Sequence, residues 1–184
     1  MKINNYKLFL ESKETIDSIC QKYGIENYTI NDDGIVDVDG NVNLYHTIDF
    51  THHFKPEALT KLPLKFGRVT GYFDCGRNKL KSLEGSPKYV GTYFSCENNE
   101  LTTLEGGPEV VIGIYYCNNN QLVNFKGFPE DYDNSCSFDG NPIYYRLLKD
   151  ITLFSWNKFI YWCNEYNAIT DEGKVIPERM EEVY

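Results

Sequence analysis

The sequence predicts a repeat solenoid, because one fixed period runs through the middle of the chain. Asn78, Asn99, Asn120 and Asn141 are each 21 residues apart. Apolar residues, cysteines and prolines keep the same spacing: Leu80, Leu101, Leu122 and Ile143; Phe73, Phe94 and Tyr115; Cys75, Cys96 and Cys117; Pro87, Pro108 and Pro129. A frame φ-x-C-x-x-N-x-L-x-x-L with this period is the short form of the leucine-rich repeat. The expected fold is therefore a leucine-rich repeat solenoid, in which 21-residue coils form a parallel sheet of short strands between an N-terminal and a C-terminal helical cap.

Residues 1–34 are expected to form the N-terminal helical cap. Ile16 and Ile19 recur at helical spacing within a helix predicted over residues 12–23, and Gly24 is a natural stop. A cap is needed because each repeat buries its faces only against its neighbours.

Residues 35–58 are expected to contain a hairpin and a histidine-bearing insertion. Apolar and polar residues alternate over residues 35–44, which predicts either a hairpin or a first degenerate coil. The insertion, Tyr45 to Ala58, contains His46, His52 and His53. We interpret it as a loop that either contacts a partner or is passive, because adjacent histidines in a strand point to opposite faces and would not share a metal.

The repeats occupy residues 59–142. Each coil should place a short strand about 4.8 Å from its neighbours, and should return through a turn or extended segment, since 21 residues leave no room for a helix. The recurring asparagines are expected to satisfy backbone groups at a bend in the core. The recurring cysteines are expected to be buried, reduced thiols, because no C-x-x-C pair suggests a zinc site.

Residues 143–184 are expected to form the C-terminal helical cap, and all four segments together one globular unit. Trp156, Phe159, Ile160 and Trp162 make this segment dense in large apolar side chains at helical spacing. Such a stripe more often packs against a core than binds a ligand.

Composition excludes several classes of function. A net charge of -9 and a pI near 4.8 argue against direct nucleic-acid binding and against an anionic membrane as partner. No stretch approaches the roughly 20 apolar residues of a membrane span, and the N-terminus lacks the apolar core of a secretion signal. A cytoplasmic protein is expected, with its oligomeric state left open.

Catalytic motifs are not found. The chain contains no G-x-S-x-G, P-loop or H-E-x-x-H sequence, and its histidines lie apart from the repeat cysteines. The sequence therefore predicts a protein that is not an enzyme and that uses no cofactor and no catalytic metal.

A binding surface is easier to locate. Strand alternation sends the residues between the buried positions to the exposed, concave surface of the sheet, and several of them are tyrosines. Tyrosine gives a large contact area at low entropic cost, although it is also a good strand former. The candidate partner-binding residues are Tyr72, Asp74, Arg77, Tyr93, Ser95, Glu97, Ile114, Tyr116 and Asn118, with His52 and His53 from the insertion.

The frame L-x-x-L-E-G-x-P-x-x-V-x-x-x-F-x-C-x-x-N-x resembles the short leucine-rich repeats of proteins encoded by large tailed bacteriophages, over about residues 25–148. More distantly it is similar to the repeat domain of secreted bacterial ubiquitin-ligase effectors, whose catalytic domain has no counterpart here. The resemblance implies a phage protein acting in the cytoplasm of the infected cell, where it binds a host or phage protein and inhibits a host defence or other host protein. Two alternatives stay open: a virion or assembly structural protein, and a small-ligand or metal-using protein acting through His46, His52 and His53.

Overall fold

The structure is a computed structural model that describes residues 15–46, 57–129, 132 and 134–142. A helix, α1, covers residues 15–23. The strands that follow are β1 (Tyr28–Ile30), β2 (Ile35–Val38), β3 (Val42–Asn43), β4 (Lys65–Val69), β5 (Phe73–Asp74), β6 (Tyr89–Val90), β7 (Phe94–Ser95), β8 (Val110–Val111), β9 (Tyr115–Tyr116) and β10 (Cys136–Ser137).

Within these residues the strands form two sheets of five. The first sheet has the order β1-β2-β4-β6-β8, and it is mixed because β1 runs antiparallel to β2. The second sheet has the order β3-β5-β7-β9-β10 and is parallel throughout. The three units that contain Asn78, Asn99 and Asn120 each contribute one strand to each sheet, since Val69 pairs with Val90 in the first sheet and Phe73 with Phe94 in the second.

The predicted fold class is wrong. We expected a leucine-rich repeat solenoid with one sheet of short strands between two helical caps, whereas the described residues form a small α/β-type fold with two sheets and one short helix. The difference arises in the return segments. These were expected to be turns or extended stretches, but Val69, Val90 and Val111 lie in strands that pair with one another.

The N-terminal and C-terminal predictions have different outcomes. Residues 15–23 are helical as expected, but β1 follows this helix and pairs with β2, so the segment before residue 35 is not a purely helical cap. The C-terminal helical cap predicted for residues 143–184 lies outside the described residues, as does most of the insertion, residues 47–56.

Residues 35–44 do not form a hairpin with each other. Strand β2 pairs with β4 in the first sheet, and β3 pairs with β5 in the second. This is the pairing pattern of the later units, and it agrees with the alternative of a first degenerate coil more closely than with the hairpin.

The core joins both sheets. Phe73 and Phe94 stack with ring centroids 5.8 Å apart, and Phe94 lies 4.9 Å from Tyr115. Phe66 of the first sheet meets Phe73 edge-on at 5.1 Å. The repeat cysteines lie in the same core as free thiols, as predicted: Cys75, Cys96 and Cys117.

The recurring asparagines hold neighbouring units together. The side-chain Nδ2 of Asn99 donates to the carbonyls of Cys75 at 3.0 Å and Cys96 at 3.1 Å, and its Oδ1 accepts from the N–H of Leu80 at 2.9 Å. Asn120 makes the equivalent bonds one unit further along. The prediction that these amides satisfy buried backbone groups is confirmed.

Candidate protein-binding face

The outer side of the second sheet carries most of the residues predicted to bind a partner. Phe73, Phe94 and Tyr115 point into the core, so the residues on either side of them in sequence point outward. We call the resulting surface the tyrosine face and define it by Tyr72, Asp74, Tyr93, Ser95, Glu97, Ile114, Tyr116 and Asn118.

Three tyrosines form a continuous aromatic surface on this face. The rings of Tyr72 and Tyr93 are stacked, with centroids 4.8 Å apart and planes 7° apart. Tyr116 meets Tyr93 edge-on at 6.0 Å, with an interplanar angle of 81°. All three are half-buried, and the neighbouring Ile114 is 37% exposed. The rings therefore hold one another in place while leaving one side accessible.

A partly buried carboxylate lies beside these rings. Asp74 Oδ1 accepts from the N–H of Gly76 at 2.9 Å. Burial raises the pKa of Asp74, the bond from Gly76 opposes this, and the negative charge of Glu97 raises it further. Burial also raises the pKa of Tyr93 to about 12, with the charge of Asp74 as the next cause. The phenol of Tyr93 thus keeps its proton near neutral pH and is available as a donor.

Three side chains converge above Gly76. A Cβ placed on this glycine would lie 3.1 Å from Asp74 Oδ1, 3.1 Å from Glu97 Cγ and 3.1 Å from Tyr45 Cδ2. A larger residue here would push against all three, so the absence of a side chain at Gly76 permits the convergence. Two carboxylate side chains and one aromatic ring therefore surround the same point of the face.

Arg77 lies at the margin of this cluster. It is exposed and has a left-handed backbone, with φ at 54°. Its guanidinium lies 5.5 Å from the centre of the Tyr45 ring. It therefore supplies a positive charge beside the two carboxylate side chains.

The strand residues predicted to bind a partner all lie on this face or, in the case of Arg77, at its margin. Ser95 is covered by its neighbours and only 4% exposed. Asn118 is half-buried, and its Oδ1 is buried without a hydrogen-bond partner among the described residues. His52 and His53 lie outside the described residues, so their predicted role stays a prediction.

Tyr45 borders the tyrosine face at Gly76, and it was not selected from the sequence. It follows β3, which pairs with β5 at an offset of 31 residues, Asn43 opposite Asp74, where the later units have 21. The longer offset moves Tyr45 out of the register of the repeat. The alternation Val42–Leu44, both buried, is the signal that could have placed it on the outer side. The backbone N–H of the adjacent His46 donates to the carbonyl of Gly76 at 3.1 Å.

A separate groove of about 870 Å³ lies at β8 of the first sheet. Its lining includes Val110, Ile112, Phe128 and Tyr132, and none of the residues predicted to bind a partner. Val110 is 45% and Ile112 53% exposed. The groove is therefore a second surface that offers apolar contact area. A binding experiment has to distinguish contact at this groove from contact at the tyrosine face.

Among the described residues, no group of three histidine, cysteine, aspartate or glutamate side chains is arranged to hold a metal ion. No helix in this part of the chain is long and apolar enough to cross a bilayer. No protein-family model, curated protein or solved structure matches the chain.

Proposed function

We propose that this protein is a non-enzymatic binding module that contacts a partner protein through the tyrosine face. The observation that carries the proposal is the stacked pair Tyr72–Tyr93, extended by Tyr116. Aromatic side chains that are already fixed by packing lose little freedom on binding and present a large contact area. This arrangement is typical of interface hot spots.

The dimensions of the face favour a peptide segment or a loop of the partner. Five parallel strands at a spacing of about 4.8 Å make the second sheet roughly 20 Å across. Along its strands, which are two residues long, the sheet extends only about 7 Å, so its flat area is well below the roughly 800 Å² that each side of a standard interface needs.

The resemblance to phage proteins narrows the proposal. We infer a partner in the cytoplasm of an infected cell, either a host protein or a phage protein, with inhibition of a host defence protein as the leading role. In support, the described cysteines are free thiols, as expected in a reducing compartment: Cys20, Cys75, Cys96, Cys117 and Cys136.

Affinity purification from infected cells tests the proposal. The tagged wild type should retain a stoichiometric protein partner, and a variant with Tyr72→Ser, Tyr93→Ser and Tyr116→Ser should bind that partner about 30-fold more weakly or worse. Circular dichroism and thermal melting check that the variant is folded. Ile114→Arg adds a charge on the same face without removing the ring stack, so it serves if the triple variant does not fold.

The groove at β8 supplies the matched control. Val110→Ser with Ile112→Ser removes exposed apolar area from the other surface and should leave the affinity unchanged. Loss of the partner in this control, with retention in the tyrosine variant, would contradict the proposal and place binding at the groove. Co-sedimentation with purified virions in place of a captured protein would favour the structural alternative.

A further inference from the structure

The tyrosine face carries two carboxylates that no cation of the described residues pairs with. Among the described residues, neither Asp74 nor Glu97 has a lysine or arginine within ion-pairing distance. The Oδ1 of Asn118, in the next unit, is also without a partner there. A carboxylate can accept about four hydrogen bonds, so Asp74, which accepts from Gly76 and Ser95, and Glu97 both keep unused capacity, whereas the Asn118 oxygen is buried.

Aromatic rings flank these acceptors on two sides. Tyr45 touches the position of Gly76 from one side, within 3.1 Å of a Cβ placed there, and Tyr93 carries a pKa raised in part by the charge of Asp74. Ring faces and carboxylates both attract cations. The charged groups facing the cluster are Asp74 and Glu97 with Arg77 at its margin, and Asp139 lies two units beyond Glu97, where it accepts from Ser137 at 2.8 Å.

We propose that this part of the tyrosine face receives an arginine side chain from an exposed segment of the partner protein. The inference rests on the proposed protein-binding function and names the chemistry of the partner. The guanidinium would donate to Asp74 and Glu97 while its plane lies against the tyrosine rings.

Arginine fits these surroundings better than lysine. Its planar guanidinium donates in a fork to carboxylates and stacks on aromatic rings, whereas a lysine ammonium is a compact, strongly hydrated charge. The same molecule shows the stacking geometry on its first sheet, where the guanidinium of Arg68 lies 3.6 Å from the centre of the Tyr89 ring. A half-buried tyrosine on a sheet surface of this protein therefore accommodates a guanidinium.

The electrostatics of Asp74 and Glu97 favour binding of a positively charged side chain. Asp74 is partly desolvated and lies near the like charge of Glu97, and both effects disfavour its ionised form. A guanidinium between the two carboxylates would offset their repulsion and replace the lost hydration with hydrogen bonds. Arg77 contacts Tyr45 instead, and no ion pair links it to Asp74 or Glu97 among the described interactions.

Titration calorimetry with defined peptides tests the inference. The probes are a short peptide of alternating glycine and arginine, its lysine counterpart and its glutamate counterpart, all at physiological ionic strength. The wild type should bind the arginine peptide, bind the lysine peptide more weakly and not bind the glutamate peptide. Asp74→Asn with Glu97→Gln should weaken binding of the arginine peptide at least about ten-fold.

A variant with the same change of charge controls for the acidity of the whole protein. Glu84 and Glu105 are exposed in the turns of successive units, and Glu84→Gln with Glu105→Gln should leave the affinity for the arginine peptide within about two-fold. Equal losses in both variants, no binding of the arginine peptide at millimolar concentration, or equal affinity for the lysine peptide would each overturn the inference.

Binding of the captured partner to the two variants distinguishes failure of the arginine site from failure of the proposed protein-binding function. A partner that is lost by the tyrosine variant but kept by Asp74→Asn with Glu97→Gln would leave the protein-binding function standing and overturn the arginine site. A partner that is kept by the tyrosine variant would overturn both.

Discussion

At the scale of single residues, one asparagine side chain in each unit forms hydrogen bonds to buried backbone groups of two successive units. The amide of Asn99 bonds to Cys75, Cys96, Glu97 and Leu80, so it links two successive units through buried backbone atoms. Both a donor and an acceptor are required, in fixed directions, within one short side chain. This requirement explains why the same residue type occurs at each equivalent position.

Replacing Asn99 with alanine should therefore be costly. The carbonyls and the Leu80 N–H that it serves would be left buried without partners, and the expected loss is about 3 kcal/mol in the free energy of unfolding. Urea or guanidinium denaturation monitored by circular dichroism would measure it. The adjacent Asn98 provides the control, because it is half-buried with φ at 54°, and Asn98→Gly should change stability by less than about 0.5 kcal/mol. Similar losses in the two variants would contradict the assigned role.

Asp74 illustrates the opposite case, a residue whose charge is unfavourable for folding. Its pKa in the folded protein is raised above the ordinary value of 3.8, mainly by burial. The folded state thus holds the proton more tightly than the unfolded state, so the contribution of this group to stability is fully present below the ordinary pKa and is lost as the pH rises through the folded pKa.

The variant Asp74→Asn should consequently melt a few degrees above the wild type at about pH 7, with the difference disappearing at about pH 3. The amide oxygen can still accept from the N–H of Gly76, so the variant removes the charge and keeps this contact. Thermal melting of both proteins across this range checks the sign. A variant that is less stable than the wild type at neutral pH would show that the charge strengthens the Gly76 bond by more than burial costs.

At the scale of elements, most of the strands are two residues long and cannot be stable alone. Their stability comes from register, since a strand inside the repeat pairs with equivalents one unit before and one unit after it, as β7 pairs with β5 and β9. Because side chains alternate between the two faces, a shift of one residue would turn every buried position outward.

Removal of one whole unit should therefore be tolerated. Deletion of residues 85–105 joins Glu84 to Gly106 and lets Val69 face Val111 and Phe73 face Tyr115, which preserves the existing register. The shortened protein should unfold cooperatively at a lower temperature. It should also bind the partner more weakly, because Tyr93 and Glu97 are lost from the tyrosine face.

Deletion of residues 85–104, one residue fewer, is the control. It puts the units out of register and should give a chain without a cooperative thermal transition. Equal behaviour of the two deletions would show that register does not govern the stability of the sheets.

At the scale of the whole molecule, the sequence predicted which residues occupy equivalent positions in successive units better than it predicted how the strands form sheets. The period correctly indicated which residues share a row, and therefore that Cys96 is buried and that Tyr93 lies on an outer side. It did not predict the first sheet, because a strand such as Tyr89–Val90 is too short to display alternation. The fold class was inferred from the motif and not from this pairing, and for that reason it was wrong.

The residues of the candidate site were likewise predictable only in part from the sequence. Alternation along the strands was enough to select Tyr72, Tyr93 and Tyr116. The convergence around Gly76 was not predictable, because Tyr45 comes from a strand whose offset to its neighbour is 31 residues and depends on the length of the insertion. Burial of a carboxylate likewise depends on which side chains cover it in three dimensions.

The column of core cysteines makes the integrity of this protein depend on the redox state of its surroundings. Burial raises the pKa of Cys75 and Cys96 well above the usual range, so that these thiols stay protonated and unreactive while the chain is folded. An opened chain loses that protection for all of them at once. In the presence of an oxidant, it would form cross-links between units that do not exist in the native arrangement, and each such cross-link would turn a transient opening into permanent damage.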